Sequence, residues 1–271
     1  MKATAAEASL GVFDSGVGGL TVVQAITELL PNERVIYLGD TARVPYGNKS
    51  PDTVKRFARQ DAAFLLGRGV KAIVVACNTA TAFALPSLVA DISVPVIGVL
   101  APGVETALAR TKSGRIGLIG TAGTIGSEAY QKAIRALRPD AHLVARATPL
   151  LVPLVEEDWL QHAVTRQVLE EYVRPMLSEG IDTLVLACTH YPLLKPLLAE
   201  IAGPDVALVD SATTCAAHLQ RCLDMAGLAA PPATSGGIEI FLTDRPAHFE
   251  SMARRFLKSP IHRIEVVSLP E

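Results

Sequence analysis

Short, continuous apolar runs alternate along this chain with longer stretches in which apolar residues recur every three or four positions. The short runs are typical of buried strands, and the longer stretches are typical of amphipathic helices. One predicted helix begins at Pro51, directly after Ser50, a residue type that caps helices well. In the first part of the chain, helical stretches separate four predicted strands: SLGVFD, RVIYLGD, KAIVVA and VPVIGV. This order predicts a parallel sheet with helices on both faces.

The pattern restarts near residue 98 and repeats features of the first part. The segment IGLIGTAGT resembles LGVFDSGVG, and VKAIVVACNTATAFALP resembles IDTLVLACTHYPLLKP. This internal similarity predicts an α/β protein with two similar doubly wound, flavodoxin-like lobes, parallel sheets and a cleft between the lobes. We expect the first lobe to comprise 1–97 and, after the chain returns to it, 207–271. The second lobe would comprise 98–206.

The composition narrows the class of protein further. The chain has 271 residues, of which 49% are hydrophobic, enough for a large core in two domains. A net charge of −2 gives no basic surface for nucleic acid, so we expect no nucleic-acid partner. No uninterrupted apolar stretch reaches the roughly 18 residues of a membrane span, and the first residues lack the apolar middle of a secretory signal. We therefore predict a cytoplasmic protein with no membrane partner.

Four cysteines are present without a CxxC pair, which argues against a thiol redox protein and favours free thiols in a reducing compartment. Only His190 lies close in sequence to a cysteine. Two potential ligands do not make a metal site, so we predict no metal. Cys215 and Cys222 fall on one face of a predicted helix, and we expect both to be packed there.

Polar clusters follow predicted strands at four places: DSGVGG, DTARVPYG, CNT and CTH. In doubly wound sheets, ligands bind beyond the carboxyl ends of the strands. A cleft between two facing lobes would gather all four clusters. The sequence therefore predicts a functional site in that cleft.

The clusters CNT and CTH each begin with a cysteine, Cys77 and Cys188. A single cysteine at a strand end is usually an apolar filler, but two matched cysteines with polar neighbours favour a chemical role. Cys77 directly precedes a predicted helix whose dipole would favour the thiolate, and Cys188 has His190 two residues further on. If the thiols face each other, one can remove a proton from one face of a carbon while the other protonates the opposite face. That pair of steps inverts a stereocentre.

The cluster DSGVGG matches neither a dinucleotide-binding fingerprint nor a P-loop, which would need a lysine. Asp14 would suit an ammonium group and Ser15 could donate to a carboxylate, although an Asx turn explains the same residues. In DTARVPYG, Tyr46 could close over a ligand and the amide of Gly47 could bind an oxyanion. An ordinary turn is the alternative there.

Further neutral donors come from Asn78, Thr79, Thr189 and His190. Helix capping is the alternative for the two threonines, and a structural role is the alternative for the histidine. Glu156 lies where a further helix is predicted to begin, and a first-turn carboxylate is the simpler interpretation of that residue.

Taken together, four motifs resemble the glutamate racemase family, whose members are cofactor-independent amino-acid racemases of the aspartate/glutamate racemase superfamily. The motifs are GVFDSGVGGLTV, YLGDTARVPYG, VVACNTATA and LACTHYPLL. The resemblance covers the chain from Gly11 to Ser211. It implies that the protein interconverts L- and D-glutamate and so supplies D-glutamate for bacterial peptidoglycan. It also implies that the enzyme is a cytoplasmic homodimer.

The same resemblance assigns roles to individual residues. It implies that Cys77 and Cys188 are the acid/base pair, with Asp14 assisting Cys77 and His190 assisting Cys188. Glu156 matches a family glutamate near the second thiol and would be a further catalytic residue. The residues implied to line the substrate site are Asp14, Ser15, Tyr46, Gly47, Asn78, Thr79, Thr189 and His190.

No cofactor is expected. Pyridoxal phosphate would need a Schiff-base lysine near the site, but Lys71 precedes its strand, and Lys49 and Lys195 lie outside the polar clusters. Two other functions stay open on the sequence. One is an aspartate or hydantoin racemase of the same superfamily, and the other is a non-catalytic protein that binds an amino acid by closing the cleft.

Overall fold

Two parallel sheets organise the chain in the computed structural model, which describes residues 5–247 and 249–269. The strands of this described part are β1 (Leu10–Asp14), β2 (Arg34–Gly39), β3 (Ala72–Val75), β4 (Val96–Gly98), β5 (Arg115–Gly120), β6 (His142–Ala147), β7 (Thr183–Ala187), β8 (Ala207–Asp210), β9 (Gly237–Leu242) and β10 (Arg263–Val266). The first sheet has the order β10-β9-β2-β1-β3-β4, and the second has the order β6-β5-β7-β8. All neighbouring strands are parallel, which confirms the predicted α/β class.

Helices connect the strands throughout the described part of the chain. They are α1 (Leu20–Leu29), α2 (Pro51–Leu66), α3 (Asn78–Asp91), α4 (Leu100–Arg110), α5 (Ala122–Gly126), α6 (Ala129–Leu137), α7 (Leu151–Glu156), α8 (Ala163–Ser178), α9 (Lys195–Ala202), α10 (Ser211–Ala226) and α11 (Phe249–Phe256). Helix α2 begins as predicted, with Pro51 as its first residue. Its cap is Ser50, whose Oγ accepts a hydrogen bond from the N–H of Thr53.

The sequence pattern does not predict α4, α5 or α7. Helices α5 and α7 have only five and six residues, too few for a helical period to show. Helix α4 contains a Pro-Gly pair in its first turn, which is a composition typical of loops. The stretch from Glu157 was predicted to be helical, but α8 begins only at Ala163, where Nδ1 of His162 accepts a hydrogen bond from the N–H of Val164.

The last part of the chain departs from the predicted lobe boundary at one strand. Strand β8 pairs with β7 in the second sheet, whereas the boundary at 206/207 placed it in the first lobe. The reason is that α9 forms a short crossover that returns β8 to the edge beside β7. Strands β9 and β10 do join the first sheet, through β2. We therefore propose a first lobe built on the first sheet and a second lobe built on the second sheet.

The central strands are buried on both faces and carry polar residues to one edge. Strands β1, β3 and β7 are buried along their whole length. Helix α1 packs against α10, and one apolar cluster runs through both helices into both lobes. The carboxyl ends of the strands consequently meet between the lobes. In the described part of the chain, every helix falls short of the length and apolarity that crossing a bilayer would require.

Candidate active site

One cavity lies between the lobes, beyond the carboxyl ends of β1, β3, β5 and β7. Its enclosed volume is about 50 Å³, and about 450 Å³ when the open space at its mouth is counted. Every predicted site residue except Asp14 lines the cavity. The other lining residues are Gly16, Val44, Pro45, Thr121, Val152 and Ala187.

Cys77 enters this cavity from the first lobe, between β3 and α3. Its Sγ caps α3 by accepting a hydrogen bond from the N–H of Ala80 at 3.4 Å, and it lies 3.7 Å from Oγ of Ser15. Burial, reinforced by the nearby charge of Asp14, raises the pKa of the Cys77 thiol to about 12, although the Ala80 and Ser15 contacts act in the opposite direction. The sequence predicted that the helix dipole would favour the thiolate. Burial outweighs the dipole, so Cys77 is a thiol at neutral pH.

Cys188 enters the same cavity from the second lobe, directly after β7, and lies beside His190. Its Sγ is 3.8 Å from Nδ1 of His190, whose Nε2 lies 3.0 Å from Oε1 of Glu156. Burial lowers the pKa of His190, but the contacts with Cys188 and Glu156 outweigh burial and raise that pKa to about 10. The ring is therefore an imidazolium at neutral pH. Glu156 is the last residue of α7, not a first-turn residue as the simpler interpretation required.

Asp14 lies behind the cavity wall and connects the two lobes. Its Oδ2 accepts a hydrogen bond from the N–H of Gly16 at 3.0 Å, and its Oδ1 accepts one from Oγ1 of Thr189 at 3.5 Å. Burial raises the pKa of Asp14, while the charge of His190 and the surrounding N–H groups oppose that rise. The hydrogen-bonding neighbour of Cys77 in this region is Ser15, so Asp14 acts on Cys77 through its charge.

Tyr46 does not close over the cavity as the sequence suggested. It is fully buried, and its hydroxyl contacts two buried acidic side chains, donating to Asp40 and lying 2.9 Å from Oδ2 of Asp61. Arg43 pairs with both carboxylates from the other side, with Nε 2.6 Å from Asp40 and Nη2 3.1 Å from Asp61. The tyrosine therefore anchors the loop that presents Gly47, and its hydroxyl is already occupied.

The side chain of Asn78 is also occupied, by a network that joins the lobes. Its Oδ1 accepts a hydrogen bond from the hydroxyl of Tyr130 at 2.7 Å, and its Nδ2 donates to Oγ of Ser211 at 3.0 Å. Tyr130 lies in the first turn of α6, Ser211 begins α10 directly after β8 of the second sheet, and Asn78 begins α3 of the first lobe. The structure thus gives Asn78 a joining role in addition to its place in the cavity wall.

Three threonine hydroxyls form a second junction at the cavity wall. Oγ1 of Thr79 lies 2.9 Å from Oγ1 of Thr121 and 3.0 Å from Oγ1 of Thr124. The sequence reasoning missed Thr121, yet the signal was present. In the internal similarity of IGLIGTAGT with LGVFDSGVG, Thr121 occupies the position of Ser15. Val152, on α7, carried no such signal because its helix was not predicted.

The comparison with known proteins agrees with the two-lobe α/β fold. A family model described as Asp/Glu/hydantoin racemase matches residues 11–219. The chain therefore belongs to the Asp/Glu/hydantoin racemase family, and it is an enzyme of the racemase class. The resemblance that the motifs indicated is confirmed.

Several proteins named glutamate racemase match the chain over nearly its whole length. The glutamate racemase of Geobacter metallireducens is 48% identical over 96% of this chain and 97% of that protein. A solved glutamate racemase isoform from Bacillus anthracis is 40% identical, with a TM-score of 0.92 over 97% of this chain and 98% of that one. A solved glutamate racemase from Francisella tularensis, in complex with D-glutamate, is 36% identical with a TM-score of 0.90 over the same shares.

Proposed function

We propose that this protein interconverts L- and D-glutamate, with Cys77 and Cys188 as its two acid/base residues. The observation that carries the proposal is that two free thiols from different sheets line the same cavity. Groups on opposite lobes can act on opposite faces of one α-carbon, as inversion requires. The glutamate racemases that are 48% and 49% identical to the chain support glutamate as the substrate.

The two thiols have unequal surroundings, which suit them to different steps. Cys77 begins as the thiol, because burial raises its pKa to about 12. Cys188 lies 3.8 Å from Nδ1 of the His190 imidazolium, a cation that stabilises the thiolate required for proton removal. With one enantiomer bound, Cys188 removes the α-proton and Cys77 protonates the opposite face. The enzyme then holds a thiol at Cys188 and a thiolate at Cys77, which is the state that acts on the other enantiomer.

The surroundings of the cavity supply the stabilisation that a weakly acidic α-proton needs. Among the described lining residues there is no lysine or arginine. Hydroxyls and backbone N–H groups therefore stabilise the substrate carboxylates, led by Ser15, Thr79, Thr121 and Thr189. Fixed donors of this kind stabilise charge that develops in the transition state, and each 1.36 kcal/mol gives about a tenfold gain in rate. Asp14, directly behind Thr189, favours the ammonium group.

The biological setting forms a further part of the proposal. The product D-glutamate would enter peptidoglycan, and the enzyme would act in the cytoplasm as a homodimer. Sedimentation of the purified protein tests this assembly.

Racemisation in deuterium oxide tests the proposed function. Starting from either enantiomer of glutamate, we expect loss of optical activity together with incorporation of deuterium at the α-carbon. Aspartate and a hydantoin serve as competing substrates under the same conditions. Turnover of aspartate in preference to glutamate would instead indicate a different racemase of the family. Tight binding of glutamate without deuterium exchange would indicate a non-catalytic binding protein.

A further inference from the structure

Helix α11 reaches across from the first lobe to the acid/base group of the second. It lies in the connection between β9 and β10, both strands of the first sheet. Nevertheless, Nη1 of Arg255 donates a hydrogen bond at 2.9 Å to the main-chain carbonyl of Glu156. Nε of the same guanidinium lies 3.4 Å from Oδ1 of Asp158. One arginine thus holds both ends of the turn that follows α7.

The next residue of α11 contacts the other member of the same acid/base group. The ring of Phe256 meets the imidazole of His190 edge to face, with centroids 5.5 Å apart and planes at 86°. Phe256 is buried, so its ring also excludes water from that side of the histidine. Consecutive residues of one helix therefore fix the two partners, Glu156 and His190, that contact each other at 3.0 Å.

This turn needs an external support. Asp158 adopts a left-handed backbone conformation, with φ of 61°, which costs energy for a residue other than glycine. The side chain of Glu156 is 40% exposed, so its own packing does not restrict it to one orientation. The Cys77 half of the site has no comparable dependence, because Ala80 and Ser15 of the first lobe already hold that sulfur.

We propose that Arg255 and Phe256 are positioning residues that hold Glu156 and His190 in the arrangement in which His190 contacts Cys188. The inference rests on the proposed function, because it assigns these residues to one of the two proton transfers. Helix α11 makes the acid/base group of the second lobe depend on contact with the first lobe.

An Arg255→Met variant tests this proposal, with Arg254→Met as a matched control, because Arg254 is the adjacent, exposed arginine on the same helix. We expect kcat/KM for glutamate to fall by about 10- to 100-fold in Arg255→Met, as small misplacements of catalytic groups typically do. The control should keep the activity of the unchanged enzyme. Arg255→Lys should restore part of the loss, because an ammonium can still donate to the carbonyl of Glu156.

Isotope effects separate positioning from a general structural role. The equilibrium constant of racemisation is unity, so kcat/KM must fall equally in both directions. With α-deuterated substrates, however, the isotope effect should rise for the enantiomer whose α-deuterium Cys188 removes and fall for the other enantiomer. Glu156→Gln should shift both values in the same sense as Arg255→Met, and Ser15→Ala, beside Cys77, should shift them in the opposite sense. Isotope effects that match those of the unchanged enzyme for both enantiomers would overturn the proposal.

A titration of His190 by NMR gives a readout that does not depend on turnover. The groups that face the ring are Glu156, Cys188 and, through its charge, Asp14. Loss of the Glu156 contact should lower the pKa of His190 in Arg255→Met and in Phe256→Leu. Removal of the arginine charge alone would raise that pKa, so a fall identifies the lost contact. If the unchanged protein did not racemise glutamate, the proposed function would be wrong. The titration would still show whether Arg255 and Phe256 position His190 and Glu156. A pKa that is unchanged or higher in both variants would overturn it.

Discussion

Gly18 and His190 lie so close together between the lobes that no side chain fits at the glycine. A Cβ atom on Gly18 would be 2.4 Å from Nδ1 of His190 and 2.4 Å from Oγ1 of Thr189. Beside them, Oγ1 of Thr21 donates a hydrogen bond at 2.9 Å to the carbonyl of Thr189. The missing side chain therefore sets how closely the carboxyl ends of β1 and β7 approach, and with that the width of the cavity.

A Gly18→Ala substitution should separate the lobes at this contact. The Cβ would displace His190 from Cys188, so we expect kcat/KM to fall by about 100-fold, the scale of an ångström-sized misplacement. Overpacking should also lower the free energy of unfolding by about 1–3 kcal/mol. Gly126→Ala is the matched control, because nothing lies within 4 Å of a Cβ there. Steady-state kinetics and urea denaturation of both variants check the prediction, and equal activities would contradict it.

Removal of either thiol should abolish racemisation. Cys77→Ser and Cys188→Ser each replace the thiol by a hydroxyl of similar size. Because an alcohol is far less acidic than a thiol, the proton transfer at that position fails. We expect turnover to fall by at least about 1,000-fold, within the range that acid/base groups contribute. Cys222→Ser, at a half-buried free cysteine of α10, should retain full turnover. Full activity in either site variant, measured by polarimetry, would exclude the two-thiol mechanism.

The contact between Glu156 and His190 should affect how the free energy of unfolding depends on pH. His190 has a folded-state pKa of about 10, raised above its ordinary value by Cys188 and Glu156 against the effect of burial. Its stabilising contribution is therefore present below about pH 6.5, its ordinary pKa, and is lost as the pH rises through 10. Glu156→Gln removes one cause of the rise. Urea denaturation at pH 6, 8 and 10 should show a larger loss of stability in the unchanged protein than in this variant.

Asp40 and Asp61 lie buried behind Gly47, and two conservative substitutions in this cluster should lower the free energy of unfolding by different amounts. Tyr46→Phe removes the hydroxyl that contacts both Asp40 and Asp61, and we expect a cost of about 1–3 kcal/mol for the buried oxygens left without that partner. Asp61→Asn keeps a polar side chain beside Tyr46 and Arg43 and should cost less.

The pH dependence of the Asp61→Asn variant checks the same cluster independently. Burial, with the charge of Asp40, raises the pKa of Asp61 well above its ordinary range. The stability that this group contributes is therefore present at low pH and lost as the pH rises. Relative to the unchanged protein, Asp61→Asn should gain stability between pH 5 and pH 8. A constant difference between the two denaturation curves would show that Asp61 titrates normally.

By itself, the sequence determined the α/β class, the repeated lobe, and the residues that the chain brings to the strand ends. These features depend on local sequence pattern. A strand that is buried on both faces needs a continuous apolar run, so polar residues can follow only where the strand ends. Cys77 and Cys188 were recognisable because each begins a polar cluster at such a place. Thr121 could have been found in the same way, from its alignment with Ser15.

Only the tertiary structure decided which partners these side chains have. The hydroxyl of Tyr46 is bound to Asp61, and Asn78 is bound to Tyr130, through contacts between residues far apart in the chain. Burial, not the helix dipole, sets the protonation of Cys77, and burial depends on how the two lobes pack. The contact of Arg255 with Glu156 likewise arises because the chain returns to the first sheet. Local pattern cannot specify such contacts, since they depend on the relative placement of elements that are distant in sequence.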